Sequence, residues 1–140
     1  MYKILYSLLF AFIISVVWMT FGRKMYDYNK GFPKIFGLSI FPLIGWTLGL
    51  FVLSLIYFLL SSYLSIVAST ILSILIYWVL LVLAEYVGYH VFGVHNEAAS
   101  RYPGLYPRIP LLDCHHAPLW MKIVYFALGP VMILSLILLL

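Results

Sequence analysis

The stretch Tyr63–Ala84, YLSIVASTILSILIYWVLLVLA, decides the fold. It contains no charged residue. Wound as a helix it extends about 33 Å at 1.5 Å per residue, enough to cross a hydrocarbon core of roughly 30 Å. Backbone polar groups in lipid have no water to bond, and a helix satisfies them within its own segment. The stretch reads as a transmembrane helix that continues as helix to about residue 92.

Three more runs of the same kind flank it. They are Leu5–Phe21, Ile35–Leu60 and Leu119–Leu140. Four spans leave too little chain for a soluble domain, so residues 1–140 read as one polytopic domain: an all-α, integral membrane four-helix bundle. Composition agrees. Of the 140 residues 66% are hydrophobic and 9% charged, and the mean hydropathy is +1.12. A soluble domain is about half apolar and a quarter charged. An ordinary soluble globule, a disordered chain and a disulfide-knit module are excluded. The net charge of +4 comes from eight basic residues against four acids. That is too sparse for a patch that tracks nucleic acid, so no nucleic-acid partner is expected.

The first span has only Lys3 before it, and Val17–Gly22 holds no small-x-small cleavage site. It is expected to remain as an uncleaved helix rather than a signal peptide. Sidedness follows from basic residues in short loops. Arg23, Lys24, Lys30, Lys34, Arg101, Arg108 and Lys122 lie on one side, and only Lys3 lies on the other. The expected topology is N-out/C-out with both long loops cytoplasmic, including a Pro/His-rich loop between the third and fourth helices. Cys114 is the single cysteine. It has no internal partner, which fits a reducing compartment.

Helices in lipid associate through small residues that allow close approach. Ser7, Ala11 and Ser15 share a face of the first span. Gly45 and Gly49 make a small-xxx-small pair on the second. Ser62, Ser65, Ser69 and Ser73 form a stripe on the third. These faces read as packing surface, within the chain or toward a homo-oligomer or larger membrane complex. No ionisable group falls at mid-membrane, which argues against an ion channel or proton-driven transporter. Pro42 and Pro130 each remove a backbone donor and tend to kink a helix, and Pro42 alternatively marks the true start of the second span. Trp18, Trp46, Trp78 and Trp120 read as interface anchors. A bound quinone, carotenoid or chlorin is the sharper alternative for so many aromatic residues.

Chemistry-bearing residues crowd one region. All four histidines fall between residues 90 and 116, with Glu97 and Asp113 among them and Glu85 just upstream. Glu85 is the only acid attached to an apolar run and is expected near the cytoplasmic interface. On a helix it shares a face with Trp78, Leu81 and Tyr89. His90 lies about 140° away, on the face of Tyr86. Glu85 reads either as an interface carboxylate paired with Arg101, Arg108 or Lys122, or as a catalytic group, because acids at membrane depth are costly to keep.

The Val94–Pro118 loop carries prolines at 103, 107, 110 and 118, which break any helix. Its apolar residues favour an ordered loop folded back over the helices. Asp113-Cys114-His115-His116 is the densest run of donor atoms. In extended chain, Cys114 and His116 point one way and Asp113 and His115 the other. His90, His95, Cys114, His115 and His116, with Glu85, Glu97 and Asp113, are the candidate metal ligands, and zinc or non-haem iron suits such donors. Their spacing matches no established metal motif. A polar interfacial loop is the plain alternative. Glu85, His90, His95 and Asp113 are the candidate acid/base residues. Arg101, Arg108 and Lys122 are candidates to hold a headgroup or phosphate.

Two functions compete. The first is a small membrane-embedded enzyme that acts on a lipid or isoprenoid at the cytoplasmic interface. The second is an accessory subunit of a larger membrane complex, respiratory or photosynthetic, with the loop as its docking surface.

Overall fold

A computed structural model describes residues 2–23, 26–94 and 119–139. Among the described residues the regular structure is helical apart from one small hairpin. Helix α1 is Tyr2–Gly22, α2 is Ile40–Ser61, α3 is Ile66–His90 and α4 is Leu119–Leu139. All four are long and apolar enough to cross a membrane, and the chain is a multi-pass membrane protein. Hydrophobic burial does not draw helices together in lipid, so close packing and polar bonds must hold this fold.

The sequence expectations hold for α1. Ser7, Ala11, Ser15 and Gly22 are buried, together with Trp18 and Met19 near its end. Ser7 Oγ donates to the Lys3 carbonyl and Ser15 Oγ to that of Ala11, each at 2.7 Å. Bonding back one turn lets a hydroxyl sit inside an apolar interface without an open valence. Small residues allow close approach, and α1 packs on α2 more extensively than any other pair of described helices pack together.

The second span starts later than residue 35. Strands β1 (Lys34–Ile35) and β2 (Leu38–Ser39) pair antiparallel there, Lys34 opposite Ser39 and Ile35 opposite Leu38. Phe36 and Gly37 make the turn with φ of 50° and 78°. Two positive φ values in a two-residue loop give the turn whose twist matches the strands, and glycine takes that conformation freely. Ile40 N–H then bonds Pro33 C=O at 3.0 Å, and α2 begins. Pro42 falls in its first turn, where a missing N–H leaves no bond unmade. It marks the helix start rather than a kink.

The expected serine stripe on the third span is divided. Ser62 caps the end of α2, and Ser65 is the N-cap of α3, accepting from Ala68 N–H at 3.3 Å. A serine at that position relieves an orphan donor, so α3 starts at Ile66 and not Tyr63. Only Ser69 and Ser73 of the four are buried. At the other end, Gly93 turns left-handed (φ 57°). Val94 N–H thereby reaches back to Gly88 C=O at 2.9 Å. The connection after α1 is stitched to this end: Asn29 Nδ2 donates to Gly93 C=O, and Lys30 Nζ to Phe92 C=O. A cation beside a helix C-terminus also meets the favourable end of its dipole.

Helices α3 and α4 are joined by an unusual set of bonds. Pro130 lies inside α4 and has no N–H to give Phe126, four residues back. Trp78 Nε1 donates to that Phe126 carbonyl at 3.0 Å. One residue earlier, the Tyr77 hydroxyl donates to Tyr125 C=O and accepts from Gly129 N–H, bridging a backbone pair of α4. Gly129 is obligatory here. A Cβ on it would lie 2.2 Å from the Tyr77 ring.

Candidate functional site

Where α2 and α3 diverge they leave a cleft of about 610 Å³. One wall is α2 from Phe41 to Leu53, and the other is α3 from Tyr77 to Tyr89. Tyr125 of α4 contributes from behind, and Tyr26, Tyr28 and Val94 close the end nearest the loops. The two glycines expected to pack against another helix do not. Nothing lies within 4 Å of a Cβ built on Gly45 or Gly49. They open the cleft down to the α2 backbone instead of closing a helix contact.

Along α3 the wall is made by residues a turn apart: Tyr77, Leu81, Glu85 and Tyr89. The expected face of Glu85 is therefore kept except for Trp78, which turns to the Phe126 carbonyl. Glu85 is half-buried and is the one charged residue among the described residues that line the cleft.

The end wall is fixed by Tyr26, which is 3% exposed. Its hydroxyl accepts from Trp18 Nε1 of α1 at 2.7 Å and from Trp46 Nε1 of α2 at 3.0 Å. The Tyr125 hydroxyl of α4 is its third partner. One phenol thus ties together three helices. Burial pushes the Tyr26 phenol well above its ordinary range. The three hydrogen bonds offset part of that rise, and the nearby Glu85 carboxylate adds to it. Aromatic rings surround the same point: Trp46 lies tilted against Tyr125 at 4.8 Å, and Trp18 meets Tyr125 edge-on at 5.7 Å. Trp18 and Trp46 are thus interior members of a network, where an interface belt was expected. Trp78 and Trp120 are more exposed.

The other expected site residues fall elsewhere. His90 is exposed at the end of α3, against Tyr86 (4.5 Å) and Tyr89 (4.8 Å), and does not line the cleft. Lys122 is 9% exposed, and its Nζ has no hydrogen-bond partner among the described residues. It also stands away from the cleft lining. His95, Glu97, Arg101, Arg108, Asp113, Cys114, His115 and His116 lie outside the described residues. Among the described residues, no three His, Cys, Asp or Glu side chains come together to hold a metal.

Sequence reasoning found Glu85 and missed most of its surroundings. Tyr26, Trp46, Tyr77 and Tyr125 come from four segments far apart in the chain. One local signal was available: Gly129-Pro130 in an apolar run marks a helix with a freed carbonyl and a flat place beside it.

The arrangement is a mostly apolar slot whose lining includes Glu85 and, toward the loops, Tyr26, Tyr28 and Tyr89. It can hold an amphiphile lengthwise and exchange a proton with its polar end. No protein-family model, curated protein or solved structure matches the chain.

Proposed function

We propose that the protein is a membrane-embedded enzyme that draws a lipid or isoprenoid into the α2–α3 cleft and acts on its polar end. In this reading the four helices form a transmembrane bundle, N-out/C-out, with the long loops in the cytoplasm. Glu85 is the acid/base residue. Tyr28 and Tyr89 line the cleft beside it and help to position the substrate. The cleft is the observation that carries the reading. Its volume of about 610 Å³ falls in the range of small-molecule sites, and its lining is mostly apolar. Membrane lipid is the one apolar solute present at high concentration beside such an opening.

The histidine-rich loop belongs to the same reading. It continues directly from Val94, a residue of the cleft's end wall. His95, Asp113, Cys114, His115 and His116 would complete the site, with zinc or non-haem iron as the metal such donors take. Arg101 and Arg108 would hold a headgroup there.

Comparative lipid analysis tests the proposal. Membranes carrying the wild-type chain and Glu85→Gln would be profiled by liquid chromatography and mass spectrometry. The expected result is a lipid consumed and a product formed only with the wild type. Loss of an acid/base group lowers turnover about 100-fold or more. Identical lipid profiles in the two membranes would overturn the proposal.

A further inference from the structure

Four hydrogen-bond donors meet at the end wall of the cleft: the indole N–H groups of Trp18 and Trp46 and the hydroxyls of Tyr26 and Tyr125. Only the two phenol oxygens can accept, because an indole nitrogen donates and does not accept. The bonds made there use three of the four hydrogens. Both indoles donate to the Tyr26 oxygen, at 2.7 and 3.0 Å, and one hydrogen lies between the two phenols. Whichever way the two hydroxyls turn, one hydrogen is left over.

The Tyr26 oxygen decides where it stands. Two indoles fill the acceptor side of that oxygen, so its own hydrogen goes to Tyr125. The Tyr125 hydroxyl then accepts from Tyr26 and keeps the surplus hydrogen. The neighbouring side chains do not take it. The Tyr77 hydroxyl is engaged with the Tyr125 carbonyl and Gly129 N–H. Glu85 acts on both phenols as a nearby charge and not as a hydrogen-bond acceptor. Tyr125 is only 5% exposed, and a donor held in an interior without an acceptor is costly. Both Tyr26 and Tyr125 line the cleft.

This deepens the reading above that the cleft takes a lipid or isoprenoid, and rests on it. We infer that the Tyr125 hydroxyl donates a hydrogen bond to an acceptor oxygen on the polar end of the occupant, and that Tyr26 orients it to do so. The row Trp46–Tyr26–Tyr125 runs donor to acceptor at each step, and such a chain strengthens its last donor. A carbonyl is the simplest complement. It accepts, and it brings no further donor to a wall that already has one too many.

The test uses the full chain in nanodiscs of diether phosphatidylcholine, a lipid without a carbonyl group. They are doped with heptadecan-2-one, carrying carbon-13 at the carbonyl, or with heptadecane. Mass spectrometry quantifies the probe retained on the purified protein, and isotope-difference infrared spectra read the carbonyl stretch. The ketone is expected at about one molecule per chain and the alkane at roughly tenfold less, the scale of one such bond. The stretch should fall below that of the ketone in lipid alone. Tyr125→Phe should bring ketone retention down roughly tenfold, to the level of the alkane, and return the stretch to its value in lipid. Gly49→Leu fills the cleft and should expel both probes. Circular dichroism shows whether each variant remains helical. An unshifted stretch in the wild type overturns the inference without recourse to any variant. A lowered stretch that persists in folded Tyr125→Phe overturns it too, because water or another group then makes the bond. If ketone and alkane are retained equally and both are lost in Gly49→Leu, the hydrogen-bond inference fails while the cleft reading stands. If neither retention responds to Gly49→Leu in folded protein, both fail.

Discussion

Trp78 donates its indole N–H to the carbonyl of Phe126, the acceptor that Pro130 leaves without a partner in its own helix. A bare carbonyl in hydrocarbon is costly, so a helix break in one span has to be met by a donor from another. The pair fixes the register of α3 on α4 and thereby sets where Tyr77 and Glu85 stand. Trp78→Phe should cost roughly 1 kcal/mol, the scale of interhelical bonds in membranes. In a Pro130→Ala background the same change should cost much less, because residue 130 then supplies its own N–H. A double-mutant cycle on unfolding in detergent checks this. Equal costs in both backgrounds would mean that the bond is incidental.

Gly129→Ala drives a methyl group into the Tyr77 ring. Overpacking of this kind should destabilise by about 2–3 kcal/mol. The loss should largely disappear when Tyr77→Ala makes room. Thermal stability of the two single variants and the double variant, followed by size-exclusion chromatography, measures the rescue.

The Tyr26 phenol should stay protonated where ordinary tyrosines ionise. Its buried hydroxyl is pushed upward in the folded chain, from a usual value of 10.0. The folded state therefore holds this proton more tightly than the unfolded state. The associated stability is fully present below about pH 10 and is lost as pH rises through the folded value. In alkaline titration at 295 nm, folded wild type and folded Tyr26→Phe should gain the same phenolate absorbance up to pH 11. On denaturation at that pH, wild type should gain one phenolate more.

Glu85 and His90 should differ as variants. Both are polar residues at the same end of α3, but only Glu85 lines the cleft. His90→Ala should leave lipid conversion within about threefold of wild type, while Glu85→Gln should reduce it about 100-fold or more. Lipid profiling of both variants in parallel decides between a site in the cleft and one centred on His90.

Much of this fold was legible in the chain, for a physical reason. A span is a local property, and the runs around Leu5–Phe21 and Tyr63–Ala84 announce themselves by length and lack of charge. The shortfalls are short-range turn chemistry. Residues 35–39 look apolar enough for a helix, but Gly37 next to Phe36 turns them into a hairpin. Ser65 looked like packing surface and is a cap. The site was legible only in part, because clefts are made by what helices fail to do together. Gly45 and Gly49 carry the pattern of close contact, and nothing in α2 alone reveals that α3 stands away from them. Tyr26 shows the same limit. It reads as a loop tyrosine until Trp18 and Trp46 converge on its oxygen.

The central claim is that α2 and α3 stand apart around a lipid. A disulfide requires Cβ atoms about 3.5–4.5 Å apart, and nothing lies within 4 Å of a Cβ on Gly49. The direct measurement is oxidative cross-linking of Gly49→Cys with Leu81→Cys across the cleft, in native membranes, with Cys114→Ser as background. The account predicts no disulfide under copper–phenanthroline, and efficient linkage by a long bifunctional thiol reagent. Rapid, quantitative disulfide formation would mean that the two helices close on each other, and would contradict it.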